Sequence, residues 1–356
     1  MAYRRYNRIL AAVIVPVVVV LAATSLFLQP YDGGLTRLGG YPEKLYGWNA
    51  PQQRFTKPLY RQFKTREAGY REPADIVVLG DSFTFLEQVS WPNYLVKETG
   101  LRLQSFRIDK TPIERILESE TFHRHPPRII IYESVERSLW ERSQRDVGDC
   151  RILPPRRATT LRVAPLSIEP ELFLRDTHSA LLNFPLSLDF LAKVVPREYL
   201  GRDHTPVARL ALTRRVAFSN IETGQLLVYK DDLAKMHWTP PMWEKIRCNL
   251  VDLQNRVQAN GYTYFVALVA TDKLSAYSDW LEDPQLAHLS RFDLLAADPA
   301  LHLPRVDLSL KAAIHNNVMD VYLNNDTHWG TNGYALVARE LTEYLIRADV
   351  LAPVLR

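Results

Sequence analysis

Asp75-Ile76-Val77-Val78-Leu79-Gly80-Asp81-Ser82 decides the architecture of this chain. A short uninterrupted apolar run of this kind makes a strand buried on both faces, as parallel strands are. The Gly-Asp-Ser turn follows at once, so Ser82 sits at the carboxyl end of the strand, where open α/β sheets bind ligands. Working outward, residues 91–99 read as a helix, 101–107 as extended, 113–122 as an amphipathic helix and 127–132 as a second buried strand. Strands alternating with helices imply an α/β fold, a doubly wound parallel sheet flanked by helices.

Residues 145–212 break that rhythm with a start rich in Pro and Arg at 154–157, and read as an inserted segment. Order returns at 215–229, where Glu222-Thr223-Gly224 separates two apolar runs as a hairpin turn would. A helix over 242–260 closes on Asn260-Gly261, a third buried strand covers 262–270, and 318–323 is a short extended piece. Residues 333–346 form a terminal amphipathic helix.

Upstream, residues 9–28 form an uncharged apolar stretch of 20 residues, preceded by Arg4, Arg5 and Arg8. That length matches a hydrocarbon core of ~30 Å. The arginines favour a cytoplasmic amino terminus with the body translocated. The alternative is a cleaved signal peptide, with Ala22-Ala23-Thr24-Ser25 as the small-residue site, but a secretory apolar core runs only ~7–15 residues. The expected organisation is a cytoplasmic tail at 1–8, a transmembrane anchor at 9–28, a spacer at 29–73 and a catalytic domain at 74–356. The domain is then periplasmic or otherwise extracytoplasmic, on an inner membrane crossed once.

The 44 basic residues barely exceed the 40 acidic ones, so there is no general nucleic-acid footprint. Cys150 and Cys248 are the only cysteines, too few for a zinc site, and are either two buried thiols or one disulfide. The histidines lack metal-ligand spacing, so no metal is expected, and no cofactor is implied.

Gly80-Asp81-Ser82 alone is weak, since three common turn residues meet by chance in many chains. Asp326-Thr327-His328 strengthens it: a carboxylate and an imidazole two apart before a helix can converge as orienter and base. Such a pair can also be a helix-capping turn with an exposed histidine. Gly80 permits the bend, Asp81 shapes the turn, and a following helix N-terminus would favour an oxyanion.

The order strand, Gly80-Asp81-Ser82, then Asp326-x-His328 before the last helix resembles the SGNH/GDSL hydrolases. Asp326-Thr327-His328-Trp329 with Gly330 and Gly333 is more similar to the alginate O-acetyltransferases. Lys273-x-x-x-Tyr277 after a strand, Glu136-Arg137 at the end of another, and Gly224-Gln225-Leu226-Leu227-Val228-Tyr229 resemble further blocks of that family. The likeness covers about 70–140 and 214–345. In that family Asp-x-His precedes the serine, so the two blocks here are exchanged, as in a circular permutation. No Gly-x-Asn-Asp block follows the strand at 127–132, which leaves the backbone N–H of Ser82 and the Asp109-Lys110-Thr111 turn as the oxyanion donors.

The resemblance implies an O-acetyltransferase acting on a cell-envelope or secreted polysaccharide, with Ser82 as nucleophile, His328 as base and Asp326 as orienter. A carbohydrate acetylesterase, or a non-catalytic polysaccharide-binding subunit, are the alternatives. The resemblance also implies substrate-binding places for Lys273, Tyr277, Trp329 and Arg137. Each has a plainer reading: a strand-end turn for Lys273 and Tyr277, core packing for Trp329, a structural ion pair with Glu136 for Arg137. The implied partners are a polysaccharide acceptor and a multi-spanning membrane acyltransferase that supplies acetyl groups.

Overall fold

The computed structural model describes residues 2–27, 33–65, 69–148, 150–153, 160–175 and 184–353. Five parallel strands form the central sheet: β1 (Arg61–Phe63), β2 (Ile76–Gly80), β3 (Leu103–Arg107), β4 (Ile129–Val135) and β5 (Tyr264–Ala270), in spatial order β1-β3-β2-β4-β5. Register pairs Ile76 with Leu103 on one side and with Ile129 on the other.

Side-chain alternation explains why both faces are covered. Ile76 and Val78 point into one core with Leu95, Leu310, Val337 and Leu341, while Val77 and Leu79 point into a second with Ile116, Trp243, Ile246 and Leu250. Helices Trp91–Thr99, Val306–His315 and Thr331–Arg347 therefore lie on one face, and Ile113–Leu117 and Pro240–Gln258 on the other. The first of these stops at Gly100, whose φ of 67° is left-handed and whose N–H caps Val96 O at 2.7 Å.

Several boundaries differ from the sequence reading, each for a local reason. The helix expected over 113–122 is two, Ile113–Leu117 and Glu120–Arg124, because Ser119 caps the second through its Oγ. The hairpin pairs Val207–Ala211, not residues 215–221, with Gln225–Tyr229. Segment 215–221 spends its polar groups elsewhere: Ser219 N–H donates to Asp320 Oδ1 and Asn220 Nδ2 to Leu45 O. The expected spacer is built into the domain, since it supplies β1 and, with Gln52–Arg54, pairs antiparallel to Glu171–Phe173 of the inserted segment. Residues 154–157 of that segment, and 28–32 at the end of the expected anchor, lie outside the described residues. Cys150 and Cys248 form a disulfide with Cα atoms 4.8 Å apart, tying the segment's start to helix Pro240–Gln258.

The helix Ala2–Phe27 contains a stretch, Tyr3–Ser25, of mean hydropathy 2.3 that is long and apolar enough to cross a membrane.

Candidate active site

Ser82 lies in a tight turn two residues beyond β2. Its frame is polar and buried. Glu133 Oε2 accepts from Asp81 N–H at 2.8 Å and from Thr84 Oγ1 at 2.9 Å, clamping the turn from beneath. Gly80 is glycine because of that clamp: a Cβ there would lie 2.2 Å from Thr84 Oγ1 and 2.8 Å from Glu133 Oε2. Asp81 accepts from Phe83 N–H (3.1 Å), Val135 N–H (2.7 Å) and Arg142 (2.9 Å). Burial opposes its ionisation, but Arg142 and those amides outweigh it and hold the carboxyl below its usual range. Burial and the nearby Asp81 push Glu133 the other way, well above the ordinary carboxylate range.

The second half sits in the loop before helix Thr331–Arg347. Asp326 Oδ1 bonds His328 Nδ1 at 2.6 Å and also accepts from His328 N–H at 3.2 Å. Burial works against the Asp326 anion, yet His328 and the hydrogen bonds outweigh it and hold the carboxyl at about 2. His328 Nε2 is buried and without a hydrogen-bond partner. The imidazole ring packs 4.8 Å from the ring of Phe83, the residue after Ser82. No hydrogen bond joins Nε2 to Ser82 Oγ in this structure. The arrangement is an oriented imidazole with one nitrogen open, beside a turn that carries a hydroxyl; the open nitrogen can accept a proton from a hydroxyl brought to it.

Lys273 fixes this loop from behind. Its Nζ donates to Leu323 O (3.0 Å), Asn324 O (3.0 Å) and Asp326 O (2.7 Å). Burial pulls the lysine down to about 7 against the attraction of Asp326 and Asp232. Three carbonyl acceptors match the three N–H of an ammonium, so the clamp is complete only when Lys273 is protonated.

The segment just after the apolar helix fixes the loop from outside. Gly34 N–H donates to Asp326 Oδ2 at 3.1 Å, and Leu35 N–H to Asn325 O at 2.9 Å. Asn325 Nδ2 donates to Glu43 Oε1 at 2.6 Å, and Thr331 N–H to Gln52 Oε1 at 2.9 Å. None of these partners was foreseen. Gly33-Gly34 carries only a turn signal in sequence, and nothing local marks Glu43, Glu133 or Arg142.

The four expected substrate contacts take other places. Lys273 is buried in its clamp, and Tyr277 is buried against Phe218, Trp280 and Tyr322, so neither faces a ligand. Trp329 packs against Phe83 and Tyr334 with 1% exposure, so core packing is the correct reading and no ring face is open to a sugar. Arg137 is half of an ion-pair cluster: its guanidinium reaches Asp272 (2.9 Å) and Asp232 (3.2 Å), with Thr327 Oγ1 at 3.4 Å. Its partners are those two and not Glu136, which instead pairs with Lys235 at 3.0 Å. Burial and the nearby Asp272 raise Asp232 to about 8, against the attraction of Arg137 and Lys235.

Two oxyanion expectations are also revised. Lys110 and Thr111 N–H both bond Arg107 O, closing their own turn, so neither is open to an oxyanion. The helix after Ser82 begins only at Trp91, so the serine is not itself at a helix N-terminus. A cavity of about 530 Å³ lined by Asp75, Arg102, His123 and Arg128 opens at the amino ends of the strands, on the opposite edge of the sheet.

Comparison of the chain with known protein families, with curated proteins and with solved structures finds no match.

Proposed function

We propose that this chain is a membrane-anchored, extracytoplasmic O-acetyltransferase of SGNH type whose acceptor is a polysaccharide. The observation that carries the proposal is the Asp326–His328 pair, joined at 2.6 Å, with Nε2 unpartnered and the ring against Phe83 next to Ser82. The likeness of its sequence blocks to the alginate O-acetyltransferases gives the acyl group and the acceptor class.

In the proposed reaction Ser82 Oγ attacks the carbonyl carbon of an acetyl ester while its proton passes to His328 Nε2. The tetrahedral adduct collapses, the donor's oxygen leaves with that proton, and acetyl-Ser82 remains. A polysaccharide hydroxyl then gives its proton to Nε2 and attacks the acetyl carbon, Ser82 takes the proton back, and the acetylated polymer leaves. Asp326 holds the imidazole tautomer throughout, and Ser82 N–H faces the developing oxyanion.

Two features support the compartment. The apolar helix is long enough for an anchor, and a Cys150–Cys248 disulfide persists where thiols are oxidised. Ser25 and Gly34 are nine residue steps apart, a chain length that spans at most about 30 Å, so Asp326 stays close to the end of the anchor. A membrane-embedded acetyl supplier suits that placement.

The test compares the full-length chain with Ser82→Ala for labelling by a serine-directed phosphonate and for acetyl content of the polymer. Labelling and acetylation lost together in Ser82→Ala support the proposal. Unchanged labelling and acetylation would replace it with a binding role, and rapid ester hydrolysis indifferent to added oligosaccharide would replace transfer with hydrolysis.

A further inference from the structure

We infer that the helix Phe184–Leu200 lies along the bilayer surface beside the N-terminal span, with Leu188, Ala192, Val195 and Tyr199 turned into the lipid. The inference is independent of the O-acetyl transfer chemistry and rests on reading Tyr3–Ser25 as a membrane span.

The four residues fall at i, i+4, i+7 and i+11, a single stripe of an α-helix. All four are exposed, Leu188 at 54%, Val195 at 43% and Tyr199 at 79%. Such a stripe on a water-facing helix is the reverse of the usual pattern, where apolar residues face the core. Here the domain takes a different side of the same helix. Lys193 Nζ donates to Arg37 O at 2.8 Å, and Arg197 bonds Gly39 O and Gly40 O while its guanidinium lies 4.0 Å over the Tyr41 ring. Both cations are therefore spent on the 37–41 segment.

What covers the stripe follows from its neighbour. The helix is in contact with the apolar N-terminal helix, which carries the span. A stripe on a helix that touches the span stands beside a surface that is itself too greasy for water. Charge composition selects the kind of bilayer: Asp189 and Glu198 balance Lys193 and Arg197, and each is already paired. Attraction to anionic headgroups is not the driving term, so a zwitterionic surface suffices.

The experiment uses the full-length chain in phosphatidylcholine nanodiscs, with a spin label on one introduced cysteine at a time at positions 188, 192, 195 or 199, the Cys150–Cys248 disulfide left intact. Glu198→Cys, on an exposed turn outside the stripe, is the water-facing control. Collision with oxygen should exceed collision with a water-soluble nickel chelate severalfold at the four stripe positions relative to position 198. Chelate access at the stripe equal to that at 198 would overturn the inference. So would exclusion of both reagents: with spin–spin broadening the occupant is a second copy, and without it the domain itself covers the stripe. These readouts require no activity, so their outcome is separate from that of the transferase proposal.

Discussion

Two adjacent glycines offer a matched test of how the segment after the apolar helix holds the candidate site. A Cβ on Gly33 would stand 2.0 Å from Asn325 O and 2.5 Å from Asn325 C, whereas a Cβ on Gly34 meets nothing within 4 Å. Neither glycine has a positive φ, so alanine is compatible with the backbone at both and only space distinguishes them. The 325–326 loop is pinned by Lys273, so the 33–36 segment must give way in Gly33→Ala. That breaks the Gly34 N–H bond to the Asp326 carboxylate and the Leu35 N–H bond to Asn325 O. A bond to a charged group contributes about 1.5–3 kcal/mol and a neutral one about 0.5–1.5 kcal/mol, so Gly33→Ala should destabilise by about 2–4 kcal/mol. Gly34→Ala begins the helix Gly34–Gly39 and should be neutral or stabilising by up to about 1 kcal/mol. Urea unfolding of the full-length chain measures both, with a lower midpoint and unchanged slope expected for Gly33→Ala. Phosphonate labelling of Ser82 should slow in Gly33→Ala alone. Equal stability and equal labelling of the two variants would refute the buttress.

Three further outcomes follow from the same contacts. Asp326 is ionised in the fold down to about 2, below its ordinary 3.8, so it lends stability above the unfolded value that is lost as pH falls through about 2. Between pH 5 and 2 the wild type should therefore lose about 2 kcal/mol more than Asp326→Asn, and parallel acid unfolding curves would contradict this. Lys273→Met gives up three charge-assisted bonds of about 1.5–3 kcal/mol each and leaves three carbonyls without a donor, but removes a cation that burial disfavours, so stability should fall by several kcal/mol and by less than the sum of the three bonds. Phosphonate labelling should fall at least tenfold in that variant, and wild-type labelling would remove Lys273 from the site's support. Reducing the Cys150–Cys248 disulfide opens a 98-residue separation and should lower the unfolding free energy by about 2–5 kcal/mol; an unchanged urea midpoint after thiol alkylation would count against a structural bridge.

What could be read in the sequence was local. The strands at 76–80, 129–135 and 264–270 announce themselves because burial on both faces leaves no polar alternation, and the Asp326–His328 pair is legible because two residues separate its members. The Gly33–Asn325 contact was not legible, since it joins positions 292 apart and its only signal, two glycines, reads equally as a linker. Residues 215–221 are apolar enough for a strand, but Ser219 and Asn220 bond to Asp320 and Leu45, and such partners have no trace in a local pattern. Lys273 of the block Lys273-x-x-x-Tyr277 bonds the carbonyls of the 323–326 loop, and Tyr277 is buried among aromatic rings, so both side chains point into the fold. Sequence spacing fixes where a residue lies along the chain and says nothing of whether its tip meets carbonyls or solvent.

The two halves of the candidate site have separate polar frames. Glu133 and Arg142 hold the turn of Ser82; Lys273 and Gly34 hold the loop of His328. Among the described residues no hydrogen bond links residues 80–84 to 326–329. The halves meet instead through Phe83, whose ring lies 4.8 Å from His328 and 4.7 Å from Trp329, with Trp329 in turn against Tyr322 and Tyr334. Aromatic packing of this kind holds its partners by area and not by direction, so it tolerates small displacements that a hydrogen bond would not. No hydrogen bond between the two frames therefore fixes the separation of Ser82 from the open nitrogen of His328. In the proposed transfer, an imidazole serving Ser82 in one step and an incoming hydroxyl in the next would gain from that freedom, and the 2.6 Å bond to Asp326 keeps its orientation.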